Sequence, residues 1–304
     1  MKKNFLIILA LVILTLTVWW FKAIKPNLWN GKRQFNLSLF SEDTLVLVSN
    51  DPINRTVFVV FFPGDLLVNT FGNYGQLRLS KLSELAFQEE EELIVPKTIE
   101  YCFGFPLDFW SYLEKSQLSY PQEELEDGLG IVKKAIKDLL FSRKRLSFSQ
   151  RVNLWKINRW LASHRPVIQI KKGDKDFFEK KDDFYRFNQE AWDDWASIYL
   201  ADPWFKNEQL AIGIYNAAGI SGLANELARI LSNSGMLVVA VKDREQKEQT
   251  CLLRIKSEQV KKSWTYQRLV NLIKNCEIKI SGEEEFGDST QINIYLGETF
   301  NKLR

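Results

Sequence analysis

Two aspartates, Asp43 and Asp65, flank a short apolar segment and have the residue type and spacing best suited to chemistry in this sequence. Hard cations such as Mg²⁺ bind carboxylate oxygens, so the pair is a candidate metal site. Arg78 follows and is suited to stabilising a phosphoryl group, which predicts phosphoryl transfer by Asp43, Asp65 and Arg78. The other nearby cation, Arg55, lies in a turn at the far end of the segment, so a full clamp is not evident. The alternative is that Asp65 only completes a Pro-Gly-Asp turn.

A predicted β-hairpin positions these aspartates. The runs Thr44–Ser49 and Thr56–Phe62 are rich in β-branched and aromatic residues, and Asn50–Arg55 between them contains the turn-forming Asp-Pro and Asn. Both runs are too uniformly apolar to have one wet face, so they are predicted to be central strands buried on both sides. Asp43 precedes the first strand and Asp65 follows the second.

Composition excludes several classes of protein and site. The net charge of +3 is too small to indicate nucleic-acid binding. Cys102, Cys251 and Cys276 are widely spaced and odd in number, which predicts neither a metal site nor a disulfide framework, and at least one free, buried thiol. His164 is the single histidine, so a multi-histidine zinc centre is excluded. No nucleophile-elbow, Walker, HExxH or kinase motif occurs.

The N-terminus predicts a membrane anchor. Phe5–Phe21 is an uncharged run of 17 residues, and Trp19 and Trp20 near its end suit a membrane interface. No convincing small-residue cleavage site follows, so the segment within residues 1–24 is predicted to be an uncleaved transmembrane helix. Basic residues flank both sides, and counting them leaves the orientation open.

The middle of the chain alternates helical and irregular patterns. Predicted helices cover Leu77–Phe87, Glu89–Phe103, Leu129–Leu140, Phe148–His164 and Asn188–Leu200, with an extended segment at Leu107–Leu113 and a loop at Lys171–Asp183. The acidic cluster within residues 123–127 is either a solvated helix start or a metal site.

The predicted helix Phe148–His164 combines tryptophans with cations. It carries Trp155 and Trp160 among Arg151, Lys156 and Arg159. Such a helix either lies on an anionic membrane surface or packs on the core with its long cations directed outward.

The last hundred residues are predicted to form a separate unit. Strands and helices alternate in the order β-α-β-β-α-β-β, which is typical of a compact α+β layer structure with helices on one face. Between its first strand and helix, Gly219 and Gly222 either shape a tight turn or cradle an anion at the helix N-terminus.

Several motifs together resemble the LytR-CpsA-Psr (LCP) family of extracytoplasmic bacterial cell-envelope proteins. In the N-terminal half they are, in family order, Asp43-Thr44, Asp51-Pro52, Phe62-Pro63-Gly64-Asp65-Leu66, Arg78-Leu79-Ser80 and Gly104-Phe105-Pro106-Leu107-Asp108-Phe109. The final third resembles the LytR C-terminal domain, through Ile214–Ala224 and the ending Ile294–Phe300.

The resemblance implies a function, and the departures from the family motifs imply that catalytic residues are missing. Family members with complete motifs transfer glycopolymers from a polyprenyl-pyrophosphate carrier to peptidoglycan, using Mg²⁺ and an arginine cluster. The family arginine in the Pro-Arg-Asp turn is Gly64 here, Gln34–Phe40 lacks the family Asp-Ser-Arg strand, and no later Arg-rich segment is found. Because Asp43 and Asp65 alone carry over, the resemblance indicates a degenerate LCP domain. It also implies that the soluble part lies outside the cytoplasm.

These observations predict an α/β (α+β) architecture in three parts. Residues 1–24 form the anchor, residues 34–205 an LCP-like α/β domain with a central sheet, and residues 208–304 a LytR C-terminal-like α+β domain. The predicted location is the cell membrane, with a single span and extracytoplasmic domains.

The predicted function is that of a non-catalytic binding or scaffold protein in cell-wall glycopolymer assembly, needing no cofactor. The alternative is a divergent Mg²⁺-dependent phosphotransferase that attaches polyprenyl-pyrophosphate-linked glycopolymers to peptidoglycan. In that case Asp43, Asp65 and Arg78 are catalytic and Asp43 and Asp65 bind Mg²⁺. A third alternative is a lipid-tail-binding protein with an uncharged apolar cavity. The implied partners are the membrane, a glycopolymer or peptidoglycan, a polyprenyl lipid and another envelope protein, with no nucleic acid.

Overall fold

The computed structural model describes residues 29–300, except 73, 114–117, 119–127, 143–145, 173–176, 246, 274–275, 281–288 and 299. The predicted anchor and the acidic cluster at 123–127 lie outside the described residues. Among the helices in the described ranges, none is both long and apolar enough to cross a membrane.

The first sheet is the centre of the N-terminal unit. Its strands, in spatial order, are β6 (Phe109–Tyr112), β1 (Phe35–Phe40), β2 (Thr44–Asp51), β3 (Thr56–Pro63) and β7 (Val167–Lys172). The three central strands pair antiparallel, whereas both outer strands run parallel to their neighbours. The predicted hairpin is therefore confirmed, and β1 beside it was not predicted as a strand.

Both faces of this sheet are buried, as the uniformly apolar runs predicted. On β3, Phe58, Val60 and Phe62 belong to one hydrophobic cluster, while the alternate Val57, Val59 and Phe61 belong to the other. Alternation is expected because successive side chains of a strand point to opposite faces. Each face needs its own covering layer, which the helices supply.

Eight helices are described, and six of them precede the C-terminal unit. These six are α1 (Leu82–Gln88), α2 (Ile94–Phe103), α3 (Gly128–Phe141), α4 (Phe148–His164), α5 (Gln189–Tyr199) and α6 (Pro203–Glu208). Residues of α1, α2 and α5 cover one face of the first sheet, and residues of α3 and α4 cover the other. The N-terminal unit is thus a three-layer α/β structure.

A second sheet lies on the α1–α2–α5 side and corrects two predictions. Its strands, in spatial order, are β5 (Gln76–Arg78), β4 (Leu66–Asn69), β9 (Phe184–Phe187) and β8 (Phe178–Lys181). The loop predicted at Lys171–Asp183 is wrong, because β7 ends and β8 lies within it. The predicted helix Leu77–Phe87 begins later than expected, since its first residues pair with β4.

The C-terminal unit has the predicted order of elements. Its sheet, the third, contains β11 (Leu237–Asp243), β10 (Ala211–Asn216), β14 (Ile292–Leu296), β12 (Leu252–Ile255) and β13 (Glu277–Ile280). The helices α7 (Leu223–Asn233) and α8 (Trp264–Leu272) share one hydrophobic cluster with these strands. Gly219 and Gly222 have positive φ angles, +69° and +81°, as the tight-turn interpretation requires.

The cysteines correct one prediction and confirm another. Cys251 and Cys276 form a disulfide, contrary to the expected absence of disulfides. Each residue directly precedes one of two paired parallel strands, in which Leu252 lies opposite Glu277. Cys102 is free and buried, as predicted, and burial raises the pKa of its thiol to about 12.

We expect a thiol count to reflect this arrangement. Under non-reducing conditions, the folded chain should react with no maleimide, because one thiol is buried and the other two sulfurs are bonded. After denaturation without reductant, mass spectrometry should find a single labelled cysteine, Cys102. Labelling of all three cysteines in that experiment would show that Cys251 and Cys276 are reduced.

Candidate functional site

The hairpin brings Asp43 and Asp65 to the same end of the first sheet. Thr44 pairs with Pro63 at the open end of the hairpin, so one aspartate immediately precedes β2 and the other follows β3 by two residues. The Gly64 N–H donates to the carbonyl of Asp43 at 2.7 Å, which fixes the two segments side by side. Asp43 is partly buried, and the Asp65 side chain is 57% exposed.

Gly64 has no space for a side chain. A Cβ atom there would lie 2.4 Å from the carbonyl oxygen of Glu42 and 3.1 Å from the Cα of Asp43. Both obstacles are backbone atoms, which cannot rotate away as a flexible side chain does. The Gly64 carbonyl also accepts from the Ser80 N–H at 2.9 Å, so the turn is held from the other side. An arginine at this position is incompatible with the observed backbone.

Arg78 forms two ion pairs at this end of the first sheet. Its guanidinium lies 3.8 Å from the Asp65 carboxylate and 2.5 Å from that of Asp183. The hydrogen bond and charge of Arg78 lower the pKa of Asp183. Sequence reasoning missed Asp183 because the preceding segment looked like a loop, whereas β9 places it beside β4. Arg78 is therefore shared between two exposed carboxylates.

The structure brings the predicted site residues Asp43, Asp65 and Arg78 into one region. A further cation, Lys171, lies near the end of β7. Its ammonium lies over the rings of Phe177 and Trp195, 4.4 Å and 5.5 Å from their centroids. Across the described residues, no group of three or more His, Cys, Asp or Glu side chains is placed to hold a metal ion. The catalytic assignment of Asp43, Asp65 and Arg78, and the metal assignment of the aspartates, stay predictions.

A cleft of about 570 Å³ opens at the opposite end of the first sheet. It lies between the two units, with α2, β6 and the start of α4 on one side and α8 on the other. Cavities of several hundred Å³ at domain junctions are common ligand sites. Its lining is mixed, combining apolar residues with the charged Arg33, Lys97, Glu100, Asp108 and Arg268. It is therefore not the uncharged cavity that a lipid-tail-binding protein would show.

A buried charge triad joins the units at the floor of this cleft. The Asp108 carboxylate is 5% exposed and accepts from the guanidiniums of Arg33, at 3.1 Å, and of Arg268. It also accepts from the backbone N–H of Asn36 at 2.9 Å. Burial opposes ionisation, but the two guanidiniums outweigh it, so the pKa of Asp108 lies below its usual range. Asp108 closes the Gly104–Phe109 motif and here has a structural role.

A second contact holds α7 against the N-terminal unit. The Arg229 guanidinium donates to the carbonyls of Tyr101 and Cys102, at 2.7 Å and 2.6 Å, and to the Asp193 carboxylate at 2.6 Å. These carbonyls belong to the last turn of α2, where orphan acceptors need donors and cations are favoured. The C-terminal unit thus caps a helix of its neighbour.

Residues 209–300 match a family model described as LytR cell envelope-related transcriptional attenuator. The C-terminal unit is therefore similar to the LytR C-terminal domain, and the predicted resemblance is confirmed in this part of the chain. A comparison with curated protein sequences gives no match.

The fold is also similar, at a distance, to several solved structures. A structure described as TagT bound to LI-WTA is 13% identical, with 54% of this chain and 88% of that one covered and a TM-score of 0.39. TagU of B. subtilis is 13% identical over 54% and 94% of the chains, with a TM-score of 0.35. A transcriptional regulator from Enterococcus faecalis is 11% identical over 67% and 88%, with a TM-score of 0.38. With TM-scores this low, these likenesses assign no function to the chain.

Proposed function

We propose that this protein is a membrane-anchored, extracytoplasmic binding or scaffold protein that acts in cell-wall glycopolymer assembly without transferring the polymer itself. The proposal is supported by the motifs of its N-terminal unit, which resemble those of an LCP domain, and by the match of its C-terminal unit to the LytR family model. The proposal includes a single membrane span within residues 1–24 and needs no cofactor.

The observation that carries this proposal is the crowding at Gly64. The resemblance places a pyrophosphate-holding arginine at this position, and the Glu42 carbonyl leaves no space for one. Phosphoryl transfer depends on cations that stabilise the charge developing on the transferred group. Arg78, the cation in contact with Asp65, is drawn to Asp183 as well. An LCP-like domain that lacks the pyrophosphate-holding arginine supports binding rather than catalysis.

The disulfide supports the extracytoplasmic location. Disulfides persist in oxidising spaces outside the cytoplasm and are rare within it. The Cys251–Cys276 bond joins the residues that directly precede the paired strands β12 and β13, and its presence favours such a space for the C-terminal unit.

The cleft between the units is the proposed site for a segment of polymer. Its hydroxyl and amide groups, including those of Ser149, Gln150 and Asn271, suit the hydrogen-bonding surface of a glycan. Because both units line it, a ligand there contacts the LCP-like frame and the C-terminal domain together.

The alternative, a divergent Mg²⁺-dependent phosphotransferase, is favoured by one observation. Asp43 and Asp65 share one end of the hairpin, and Arg78 reaches Asp65. In that case the two aspartates would hold Mg²⁺, which would neutralise charge on a pyrophosphate.

A turnover assay separates the two functions. Full-length protein in detergent is incubated with Mg²⁺, a polyprenyl-pyrophosphate-linked glycan and peptidoglycan. Transfer of the glycan phosphate to peptidoglycan breaks the pyrophosphate bond, so the released polyprenyl monophosphate is measured. We expect the protein to sediment with the glycan-bearing wall material and to release no polyprenyl monophosphate. Binding should be unchanged in Asp43→Asn and Asp65→Asn, because both lie at the opposite end of the sheet from the cleft.

The matched control is Asp194→Asn, which neutralises an exposed carboxylate on α5. Mg²⁺-dependent release that disappears in Asp43→Asn and persists in Asp194→Asn would establish the phosphotransferase instead. Failure of the protein to sediment with glycopolymer or peptidoglycan would contradict the binding role.

A further inference from the structure

The surface of α4 combines exposed aromatic side chains with the exposed cation Arg159, in a segment of the chain without acidic residues. Residues 139–173 contain neither Asp nor Glu, so the charged side chains in this segment are all Lys or Arg. Phe148 is 48% exposed and Trp155 51% exposed, one on each half of the helix.

The exposed residues form a stripe. The exposed Phe148, Trp155, Arg159 and Ala162, with the partly exposed Val152, recur every three or four residues, which places them along one face of a helix. The opposite side carries Leu154, Ile157, Trp160 and Leu161 into the core. The helix therefore packs on the core, which was the second of the two alternatives predicted from its sequence, and it also presents an outward face.

The chemistry of the outward face suits an anionic membrane surface. The Arg159 guanidinium lies 5.5 Å from the centroid of the Trp155 ring, so a cation and an amphipathic aromatic act at one spot. Tryptophan is favoured at the interface between lipid headgroups and acyl chains, and each Lys or Arg near an anionic bilayer adds attraction.

The path of the chain brings this face to a bilayer. The first described residue, Trp29, is fastened to α4: its N–H donates to Asn153 at 2.8 Å, and its carbonyl accepts from Lys156 at 2.7 Å. The predicted anchor ends at Phe21, eight residues earlier. Eight extended residues span at most about 28 Å, so Trp29, and with it the part of α4 that it contacts, lies within about that distance of the end of the predicted anchor.

We infer that the outward face of α4 is a membrane-docking surface that binds anionic phospholipid headgroups beside the anchor. Docking there would orient the soluble part on the bilayer and direct the opposite layer, containing α5 and the second sheet, away from it. The inference rests on the anchor of the proposed function and adds to it a second, peripheral contact.

The test places a fluorophore on this face in the full-length protein. Ala162→Cys is labelled with a maleimide of nitrobenzoxadiazole, while Cys102 is buried and Cys251 is bonded to Cys276. Ile198→Cys, on α5 in the opposite layer, is the matched control and is 66% exposed. Both proteins are reconstituted into nanodiscs of phosphatidylcholine alone or with equimolar phosphatidylglycerol, and quenching by iodide is measured.

We expect the label at position 162 to shift to the blue and become protected from iodide in the anionic discs only. The label at position 198 should behave alike in both lipids. Arg159→Glu should reduce the docked fraction at least about fivefold, because one basic residue contributes roughly that factor at an anionic surface. Lys180→Glu, a charge reversal on β8 in the opposite layer, should have no such effect.

Equal quenching at position 162 in both lipids would overturn the inference. So would protection that appears only when soluble poly(glycerol phosphate) is added, because the face would then bind an anionic polymer rather than a bilayer. Flotation with vesicles after alkaline washing tests the anchor separately. Protein that floats but shows no docking retains the proposed anchor, whereas protein that does not float overturns the anchor and the docking with it.

Discussion

Asp108→Asn should destabilise the folded protein by about 3–5 kcal/mol and weaken the junction between its two units. The substitution leaves two guanidiniums, Arg33 and Arg268, largely buried without their carboxylate, and breaking a buried ion pair on one side costs about that much. Urea unfolding monitored by tryptophan fluorescence measures the loss, and limited proteolysis near residues 202–210 reports opening at the junction.

A matched control removes an ion pair at the surface. Lys261→Gln breaks a 2.9 Å contact with Glu258, whose side chain is 68% exposed, and should change the free energy of unfolding by less than about 1 kcal/mol. If both variants have equally small effects, the triad does not hold the units together.

The same carboxylate predicts a dependence on pH. Because the guanidiniums hold the pKa of Asp108 below its usual range, its contribution to stability is complete above the ordinary aspartate pKa, about 3.9. The contribution falls as the pH decreases through the lower pKa of the folded state. The junction should therefore open in strong acid before the core unfolds, and this early step should be absent in Asp108→Asn.

Local patterns in the sequence were enough to predict the hairpin, α4 and the C-terminal unit. Apolar runs as uniform as β2 and β3 require burial on both faces, and a helical period as long as that of α4 excludes a strand. The segment containing β8 was missed because residues 179–183 are five consecutive charged residues, which interrupt any alternation of apolar and polar side chains. Strands of four residues give too short a period to be recognised.

Contacts between distant residues could not be predicted in the same way. Arg268 and Asp108 are 160 residues apart, and a lone arginine on a helix is indistinguishable in sequence from a solvated one. The disulfide likewise depends on the parallel pairing of β12 and β13, which brings Cys251 beside Cys276. An odd number of widely spaced cysteines contains no signal for that register.

One feature of the candidate site could be predicted from the sequence, and its physical reason could not. Comparison of motifs was enough to single out Gly64, because a glycine stands where the resemblance requires an arginine. The reason the position excludes other residues became visible only in three dimensions, where the backbone of Glu42 and Asp43 occupies the space of a Cβ atom. Gly64 is therefore a packing requirement of this hairpin as well as a missing cation.

Restoring the family residue should consequently damage the fold instead of creating activity. In Gly64→Arg the new Cβ would lie 2.4 Å from the Glu42 carbonyl oxygen, so the segment before β2 must move away from the turn after β3. That movement breaks the 2.7 Å bond from the Gly64 N–H to Asp43 and the 2.9 Å bond from Ser80. Overpacking commonly costs 1–3 kcal/mol, and a backbone obstacle places this variant at about 3 kcal/mol or more.

Two further variants make the Gly64 prediction specific. Gly64→Ala adds the clashing atom without the charge and should retain most of the loss, because the Cβ is the cause. Asp65→Asn, one residue away and exposed, should change the free energy of unfolding by less than about 0.5 kcal/mol. Thermal and urea unfolding of the three proteins provide the comparison. A Gly64→Arg protein as stable as the parent would mean that the hairpin can yield to the family residue. If that variant also released polyprenyl monophosphate with Mg²⁺, the missing arginine alone would separate this protein from a transferase.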